Sequence, residues 1–248
     1  MEALGLTFLG TGNFLAPPGR YWNSFVAEGD LTVLVEPSPT ALPNLRRAGY
    51  SVEQLDAIVI SHFHPDHTFG WPFLLLEIVW HKRDPGRPLQ VIGPPGVERF
   101  LEDMMRLGSV IDIQEASRAL DIHYVEASTS GERQEAGSLG FRAVEVDHVP
   151  ELACFGYILE IGGRRLAYSG DTRPCPGLEA LAAGSDTLVL ECNGVHAAES
   201  HMDVASVLSL RERFPELTMI ATHLGPEVTA PMLPGITILD DFERIDLP

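Results

Sequence analysis

The chain has 248 residues, of which 45% are hydrophobic and 21% are charged, so it can bury a sizeable core and no long disordered segment is expected. Its 35 acidic residues outnumber its 17 basic ones, and the formal net charge of −18 argues against a broad binding surface for RNA or DNA. We expect one domain spanning residues 1–248.

In the first half of the chain, short apolar runs closed by turn residues predict strands, and longer runs with an apolar face predict helices. The predicted strands cover residues 4–9, 31–35, 57–60 and 89–92. The predicted helices cover residues 42–48, 73–80 and 97–107, and the second of these is expected to be mostly buried.

The second half of the chain continues this alternation. Strands are predicted at residues 120–125, 139–146, 155–161, 164–169, 187–191, 217–222 and 236–239, with one helix at residues 204–214. The Gly162-Gly163 pair between two of these strands is typical of a hairpin turn. Strands mixed with helices throughout predict a layered α/β domain.

The termini and cysteines indicate a cytoplasmic protein. Residues 1–10 lack the basic region and long apolar run of a signal peptide, and the most apolar stretch, residues 69–80, is too short to span a bilayer. The three cysteines show no metal-knuckle spacing and cannot pair completely, which fits a reducing compartment. A small basic cluster of Lys82, Arg83 and Arg87 is expected to be a solvated loop.

Polar residues follow the ends of several predicted strands, where functional loops are commonly found. The densest group is the Ser61–His67 segment, which places three imidazoles and one carboxylate within six residues. This mixture of nitrogen and oxygen donors suits borderline divalent metals. If the loop reverses at Pro65, His62 and His64 can converge on one ion while Asp66 and His67 point toward a second.

Three further strand ends carry single candidates, namely His148, Asp171 and His223. Each of them, taken alone, could equally be a core or turn residue. Their combination with the first loop, in this order, favours a shared metal site.

The order His-x-His-x-Asp-His, then His, then Asp in Ser-Gly-Asp-Thr, then His in Thr-His-Leu-Gly resembles the metallo-β-lactamase superfamily. Within it, the Phe-Leu-Gly-Thr-Gly segment at 8–12, the motif extended to Gly70, and Phe155-Gly-Tyr157 after His148 resemble the ribonuclease Z-like branch. The resemblance implies the four-layer αββα sandwich of the metallo-β-lactamase fold, an α/β architecture.

The resemblance also implies a role for each residue. It assigns one metal to His62, His64 and His148, a second metal to Asp66, His67 and His223, and the bridging position to Asp171. It places Glu191 and His201 beside the metals as a proton-transfer pair, and it counts Asp66 among the catalytic residues. Two plainer interpretations stay open. Glu191 can hydrogen-bond to a metal ligand without contacting a metal itself, and His201 can simply precede a helix capped by Asp203.

Two departures from the family pattern bear on function. The aspartate that usually ends a strand before the first helix is replaced by Glu36, which leaves the residues that support the histidines undefined. Only 22 residues separate His148 from Asp171, which leaves no room for the arm that clamps tRNA in tRNA-processing members.

These features predict a hydrolase in which two divalent ions activate a bridging hydroxide. The resemblance favours phosphodiester hydrolysis. The acidity and the missing arm favour a small substrate, such as a cyclic phosphate or a short nucleotide, over full tRNA. Lactone, thioester or lactam hydrolysis remains an alternative, as does a non-enzymatic metal-dependent sensor or scaffold.

The metal and the oligomeric state are less constrained. Zinc is the first expectation for a site of this composition, with manganese and iron as alternatives. The apolar residues around Trp71 and Trp80 fit either a homodimer interface or a buried core helix.

Overall fold

The computed structural model describes residues 4–81, 84, 86–108, 111–196 and 199–247. The strands within these ranges are β1 Leu4–Gly10, β2 Ser24–Glu28, β3 Thr32–Val35, β4 Ala57–Val59, β5 Leu89–Gly93, β6 Ile122–Glu126, β7 Arg133–Ala136, β8 Leu139–Glu145, β9 Phe155–Ile161, β10 Arg164–Tyr168, β11 Thr187–Glu191, β12 Thr218–Thr222, β13 Thr237–Ile238 and β14 Arg244–Leu247. The helices are α1 Ala41–Arg47, α2 Pro65–Thr68, α3 Trp71–His81, α4 Val97–Gly108, α5 Ile113–Leu120, α6 Pro176–Gly184 and α7 Val204–Arg213.

The strands form two seven-stranded sheets of similar design. The first has the order β14-β1-β2-β3-β4-β5-β6, and the second has the order β13-β12-β11-β10-β9-β8-β7. In each sheet four neighbouring strands run parallel, namely β3 to β6 and β10 to β13, and the remaining strands pair antiparallel. The carboxyl ends of the parallel strands are therefore available at one edge of each sheet, where α/β proteins usually place their sites.

Three apolar cores define the layers. The central core lies between the sheets, and in β3 it receives Val33 and Val35, while Leu34 points into a core shared with the helices. In β11, Val189 belongs to the central core while Leu188 and Leu190 face the helices on the other side. Strands buried on both faces read as nearly continuous apolar runs, which explains why the sequence predicts them. The four-layer αββα architecture is confirmed.

The helices on the two outer faces belong to different stretches of the chain. Helices α1, α3, α4 and α5 contribute buried residues to the core on the first sheet, and α6 and α7 contribute to the core on the second sheet. Helix α3 is buried along one side only, because Phe73 and Trp80 are exposed while Trp71 and Leu74 are buried. The prediction of a mostly buried helix is therefore half correct.

Several elements differ from the prediction. The strand predicted at residues 120–125 begins only at Ile122, because helix α5 occupies the preceding residues. The side chain of Asp112 caps that helix by accepting a hydrogen bond from the backbone nitrogen of Glu115, and Asp121 ends it in the left-handed conformation. Strands β2, β7 and β14 and helix α6 were not predicted.

The structure bears on two further predictions, the solvated basic cluster and the absence of a membrane-spanning segment. Lys82 and Arg83 of the predicted basic cluster lie outside the described residues, whereas Arg87 pairs with Asp56 at 2.9 Å. Within the ranges given above, every helix is too short or too polar to cross a lipid bilayer.

Candidate metal centre

The densest histidine motif begins two residues after β4 and is partly helical. Proline at position 65 takes the first position of α2, where its missing N–H costs nothing, and His64 stands just before it in an extended conformation. Asp66 and His67 therefore lie in the first helical turn. A short helix, rather than the expected loop, begins at Pro65, and His62 and His64 belong to a different group of ligand atoms from Asp66 and His67.

One cluster of ring nitrogens combines His62 and His64 with His148, which follows β8. The Nε2 atom of His62 and the Nε2 atom of His148 lie 2.9 and 3.3 Å from Nδ1 of His64. The opposite nitrogens of two of these rings are already engaged, because His62 Nδ1 pairs with Ser61 Oγ at 2.9 Å and His148 Nδ1 with the Ser200 carbonyl at 2.8 Å. Such anchors fix the ring orientation and leave Nε2 available as a ligand.

A second cluster lies beside the first and contains two carboxylates. The Nε2 atom of His67 is 3.0 Å from Asp66 Oδ2, and His223 Nε2 is 3.4 Å from the same oxygen. Asp171 follows β10 and His223 follows β12, so the second sheet supplies two members and the α2 region supplies the others. All four side chains are buried.

Asp171 stands between the two clusters. Its Oδ2 atom lies 3.4 Å from Nε2 of both His67 and His223, and 4.0 Å from Nε2 of His148. A carboxylate in that position has two oxygens to offer, whereas each imidazole offers one nitrogen. The structure therefore brings together all seven residues that the sequence suggested as metal ligands.

The chemistry of these side chains fits divalent cations. Four buried atoms here make no hydrogen bond, namely both ring nitrogens of His67, Oδ1 of Asp171 and Nδ1 of His223. Buried polar atoms are normally paired, so their concentration at one place is informative. Burial lowers the pKa of the other histidines, His62, His64 and His148, and so favours the neutral imidazole that a metal ligand must be.

Neighbouring histidines favour the ionised form of the two buried aspartates, Asp66 and Asp171. Burial alone would raise the pKa of Asp66 and Asp171, but His67 and His223 outweigh it and hold both pKa values below the ordinary range. Burial alone would lower the pKa of His67, yet Asp66 and Asp171, together with Glu36, raise it well above its usual value. This concentration of negative charge would attract a divalent cation, and cation binding would release the proton.

Glu36 takes the position that the sequence left undefined. It directly follows β3, and its side chain is fully buried. It accepts a hydrogen bond from the Ser61 backbone nitrogen at 3.1 Å and places Oε1 3.4 Å from His67 Nδ1. Glu36 therefore contacts both ends of the Ser61–His67 segment and helps to hold it in position. Its φ of +60° lies in the left-handed region, as does the φ of +51° at His223. Residues other than glycine rarely adopt this conformation.

Glu191 and His201 form a contact beside the clusters. The Nδ1 atom of His201 lies 3.0 and 3.1 Å from the two carboxylate oxygens of Glu191, and Glu191 also accepts a 2.6 Å hydrogen bond from the Thr172 backbone. Burial, and next to it the charge of Asp171, raises the pKa of Glu191 well above its ordinary value. Asp203 caps α7 as the plainer interpretation expects, but His201 also faces the site, with its Nδ1 atom 3.8 Å from Asp171.

Two neighbours of the site were not recognised from the sequence. The Ser200 carbonyl holds His148, and no side-chain pattern signals a backbone contact of this kind. The ring of Phe14 lies nearly parallel to that of His201, at an interplanar angle of 11° and a centroid distance of 6.2 Å. Phe14 follows the Phe-Leu-Gly-Thr-Gly segment by two residues, which is the only sequence feature that could have drawn attention to it.

Comparisons with known proteins show which sequences and folds this chain is similar to. A family model described as the beta-lactamase superfamily domain matches residues 32–224. Ribonuclease Z from Mycobacterium marinum is 31% identical over 195 residues, covering 74% of this chain and 68% of that protein.

Two solved structures share the fold over nearly their whole length. A diphosphatase from the PhnP family has a TM-score of 0.79 at 21% identity, covering 99% of this chain and 98% of that one. The short form of human tRNase Z has a TM-score of 0.75 at 19% identity, covering 98% of this chain and 99% of that one.

Proposed function

Since this chain belongs to the beta-lactamase superfamily and is related to ribonuclease Z, we propose that it is a metal-dependent hydrolase that cleaves phosphodiesters. The observation that carries this proposal is the convergence of two side-chain clusters on either side of Asp171, all within a few ångströms. The names of the relatives, a ribonuclease and a diphosphatase, favour phosphorus over carbon as the centre attacked.

In this proposal, His62, His64 and His148 would hold one ion, Asp66, His67 and His223 would hold the other, and Asp171 would be the ligand that they share. Bound divalent ions would lower the pKa of a shared water toward neutrality and stabilise negative charge on a phosphoryl oxygen. The chain itself contributes the proton for the leaving oxygen. Glu191 accepts the hydrogen bond from Nδ1 of His201, which leaves Nε2 of that ring to carry the transferred proton.

The substrate is proposed to be small. Residues 149–170 are all described and are largely taken up by the β9–β10 hairpin, so no clamping arm projects between His148 and Asp171. The formal net charge of −18 opposes a long polyanion. We therefore favour a cyclic phosphate, a short nucleotide or another small phosphodiester over full tRNA.

The metal and the compartment are proposed on the same basis. Mixed imidazole and carboxylate donors favour zinc, with manganese and iron as alternatives that elemental analysis of the purified protein would distinguish. The three cysteines are free thiols, which fits the reducing environment of the cytoplasm.

A substrate panel tests the proposed reaction. Zinc-loaded protein is expected to hydrolyse bis(p-nitrophenyl) phosphate, and incubation with a chelator is expected to lower the rate by about 10²-fold or more, because the ions supply the activated water. Rates are followed by nitrophenolate release, beside a panel of lactones and thioesters. Turnover of the carbonyl compounds without turnover of the phosphodiester would contradict the proposal and select the rival chemistry.

We also propose that a second copy of this chain covers the outer side of α3. Phe73, Leu76 and Trp80 are exposed there at helical spacing, with 82% of Trp80 accessible to solvent. Trp80→Glu is expected to weaken self-association at least about tenfold in sedimentation velocity, because it puts a charge into an apolar contact. Leu107→Glu, at the equally exposed end of α4, is the control. A wild-type protein that sediments as a monomer would rule this interface out.

A further inference from the structure

The segment that follows β1 is tied firmly to the candidate metal centre. The backbone nitrogen of Asn13 donates to the carbonyl of Leu224, the residue after His223, at 3.1 Å. Its side-chain amide donates to Asn193 Oδ1 at 2.7 Å. The indole nitrogen of Trp22 donates to the carbonyl of Phe14 at 2.9 Å. These bonds fix the backbone of Phe14 from both sides.

Phe14 is the outermost of several nearly parallel rings. His67 and His223 are tilted by 28° at a centroid distance of 5.5 Å, and His223 and His201 by 19° at 5.7 Å. Phe14 continues the series beyond His201 and is 46% exposed. The rings therefore extend from the buried candidate ligands to the surface. The last ring is that of Phe14, which lies beside His201 and is partly exposed to solvent.

An exposed aromatic ring on an anchored backbone is suited to binding. Its exposed area contributes little to folding, because only apolar surface removed from water is stabilising. A side chain whose backbone is already anchored has only its own two rotatable bonds to order when a second ring stacks on it, so the entropy cost of binding is small. Stacking on an aromatic side chain accepts any flat ring, since it does not depend on a particular hydrogen-bonding pattern.

We propose that Phe14 is a specificity-determining residue that stacks on a planar aromatic ring carried by the leaving group of the substrate. The inference rests on the proposed phosphodiesterase function, because it assigns to Phe14 the same side of the phosphate as His201. A substrate bound in this way keeps its leaving oxygen beside the imidazole while its flat group lies on Phe14. The chain thus selects phosphodiesters with an aromatic group on that side over those with an alkyl group.

Two diesters with leaving alcohols of similar acidity test this selectivity, namely methyl phenyl phosphate and methyl hexafluoroisopropyl phosphate. In zinc-loaded Phe14→Leu, kcat/KM is expected to fall about tenfold for the phenyl ester and less than about twofold for the fluoroalkyl ester. Phe14→Trp is expected to retain the preference of the wild type. Release of methyl phosphate is measured by phosphorus NMR.

The matched control is Tyr21→Leu, which removes an aromatic ring from the same segment. Tyr21 packs edge-on against Phe242 and makes no ring contact with His201, so neither substrate is expected to change by more than about twofold. Equal losses for both esters in Phe14→Leu would overturn the proposal, because they would mean that Phe14 acts only through the placement of His201. Unchanged kinetics for both would overturn it as well.

A binding measurement separates this inference from the proposed function. Calorimetry on the zinc-loaded protein is expected to show that phenylphosphonate binds about tenfold more tightly than methylphosphonate, and that Phe14→Leu abolishes the difference. If the protein shows this binding preference but cleaves neither diester, the proposed hydrolase function is contradicted and the proposed stacking site is supported. A wild-type protein that binds both phosphonates equally would refute the stacking site, whatever its activity.

Discussion

Asp171→Asn is expected to lower kcat/KM for bis(p-nitrophenyl) phosphate by about 10²- to 10³-fold, since removal of one strong electrostatic contact in an active site commonly costs that much. The buried carboxylate of Asp171 lies within 4.0 Å of His67 and His223 in one cluster and of His148 in the other. The amide is of similar size but carries no charge and has one fewer oxygen to donate. Metal content, measured by elemental analysis, should fall together with the rate.

The matched control for this change is Asp186→Asn. Asp186 lies before β11, pairs with Arg165 at 2.9 Å on the surface, and makes no contact with the clusters. Its activity and metal content are expected to equal those of the wild type. If Asp171→Asn kept two bound ions and full activity, the assignment of a bridging carboxylate would be wrong.

His201→Ala is expected to lower kcat by about 10²- to 10⁴-fold for a diester with a weakly acidic leaving alcohol, because general acid catalysis contributes that much. The loss should be far smaller for bis(p-nitrophenyl) phosphate, whose leaving nitrophenolate needs no proton. Bound metal should not change, because the proposed ligands are other residues. The measurement is kcat for both substrates beside elemental analysis.

His123→Ala provides the comparison for His201. His123 is an exposed histidine on β6 that also pairs with a carboxylate, since its Nε2 lies 2.8 Å from Asp121. Its removal is expected to leave both rates unchanged. A loss in His201→Ala that is the same for good and poor leaving groups would argue for a positioning role, and a loss of bound metal would argue that His201 is a ligand.

The sequence predicts the parts of the fold that are buried on two sides. Strands such as β9 and β11 are short, mostly apolar segments rich in β-branched, aromatic and leucine side chains, which is typical of strands covered on both faces. β7 and β14 are polar or half-exposed strands at or near the sheet edges, so their pairing comes from tertiary contacts that a local pattern does not contain. Helix α5 carries a readable signal in Asp112, its N-cap, but the sequence pattern predicts no element for residues 113–119 and places Leu120 in a strand.

From the local pattern alone, the candidate site can be recognised only where its residues are close in the chain, and the distant members were predicted from their order and from the family resemblance. Residues 62–67 are recognisable because four donors lie side by side. His148 and His223 are single residues at strand ends, and only the order of strands in two different sheets brings them to that motif. Glu36 and Phe14 are far in sequence from the site residues that they contact, so no local sequence pattern identifies those contacts.

Left-handed backbone at Glu36 and His223 has a consequence for engineering. Non-glycine residues held in this conformation cost about 1–3 kcal/mol each, and glycine would adopt it without that penalty. Local conformational preference therefore opposes both residues, and their presence is better explained by the charge and nitrogen they bring to the cluster. A variant library selected only for thermal stability would be a poor guide to function at these two positions. Glycine there would relieve the backbone strain and at the same time remove the side chain that the site needs.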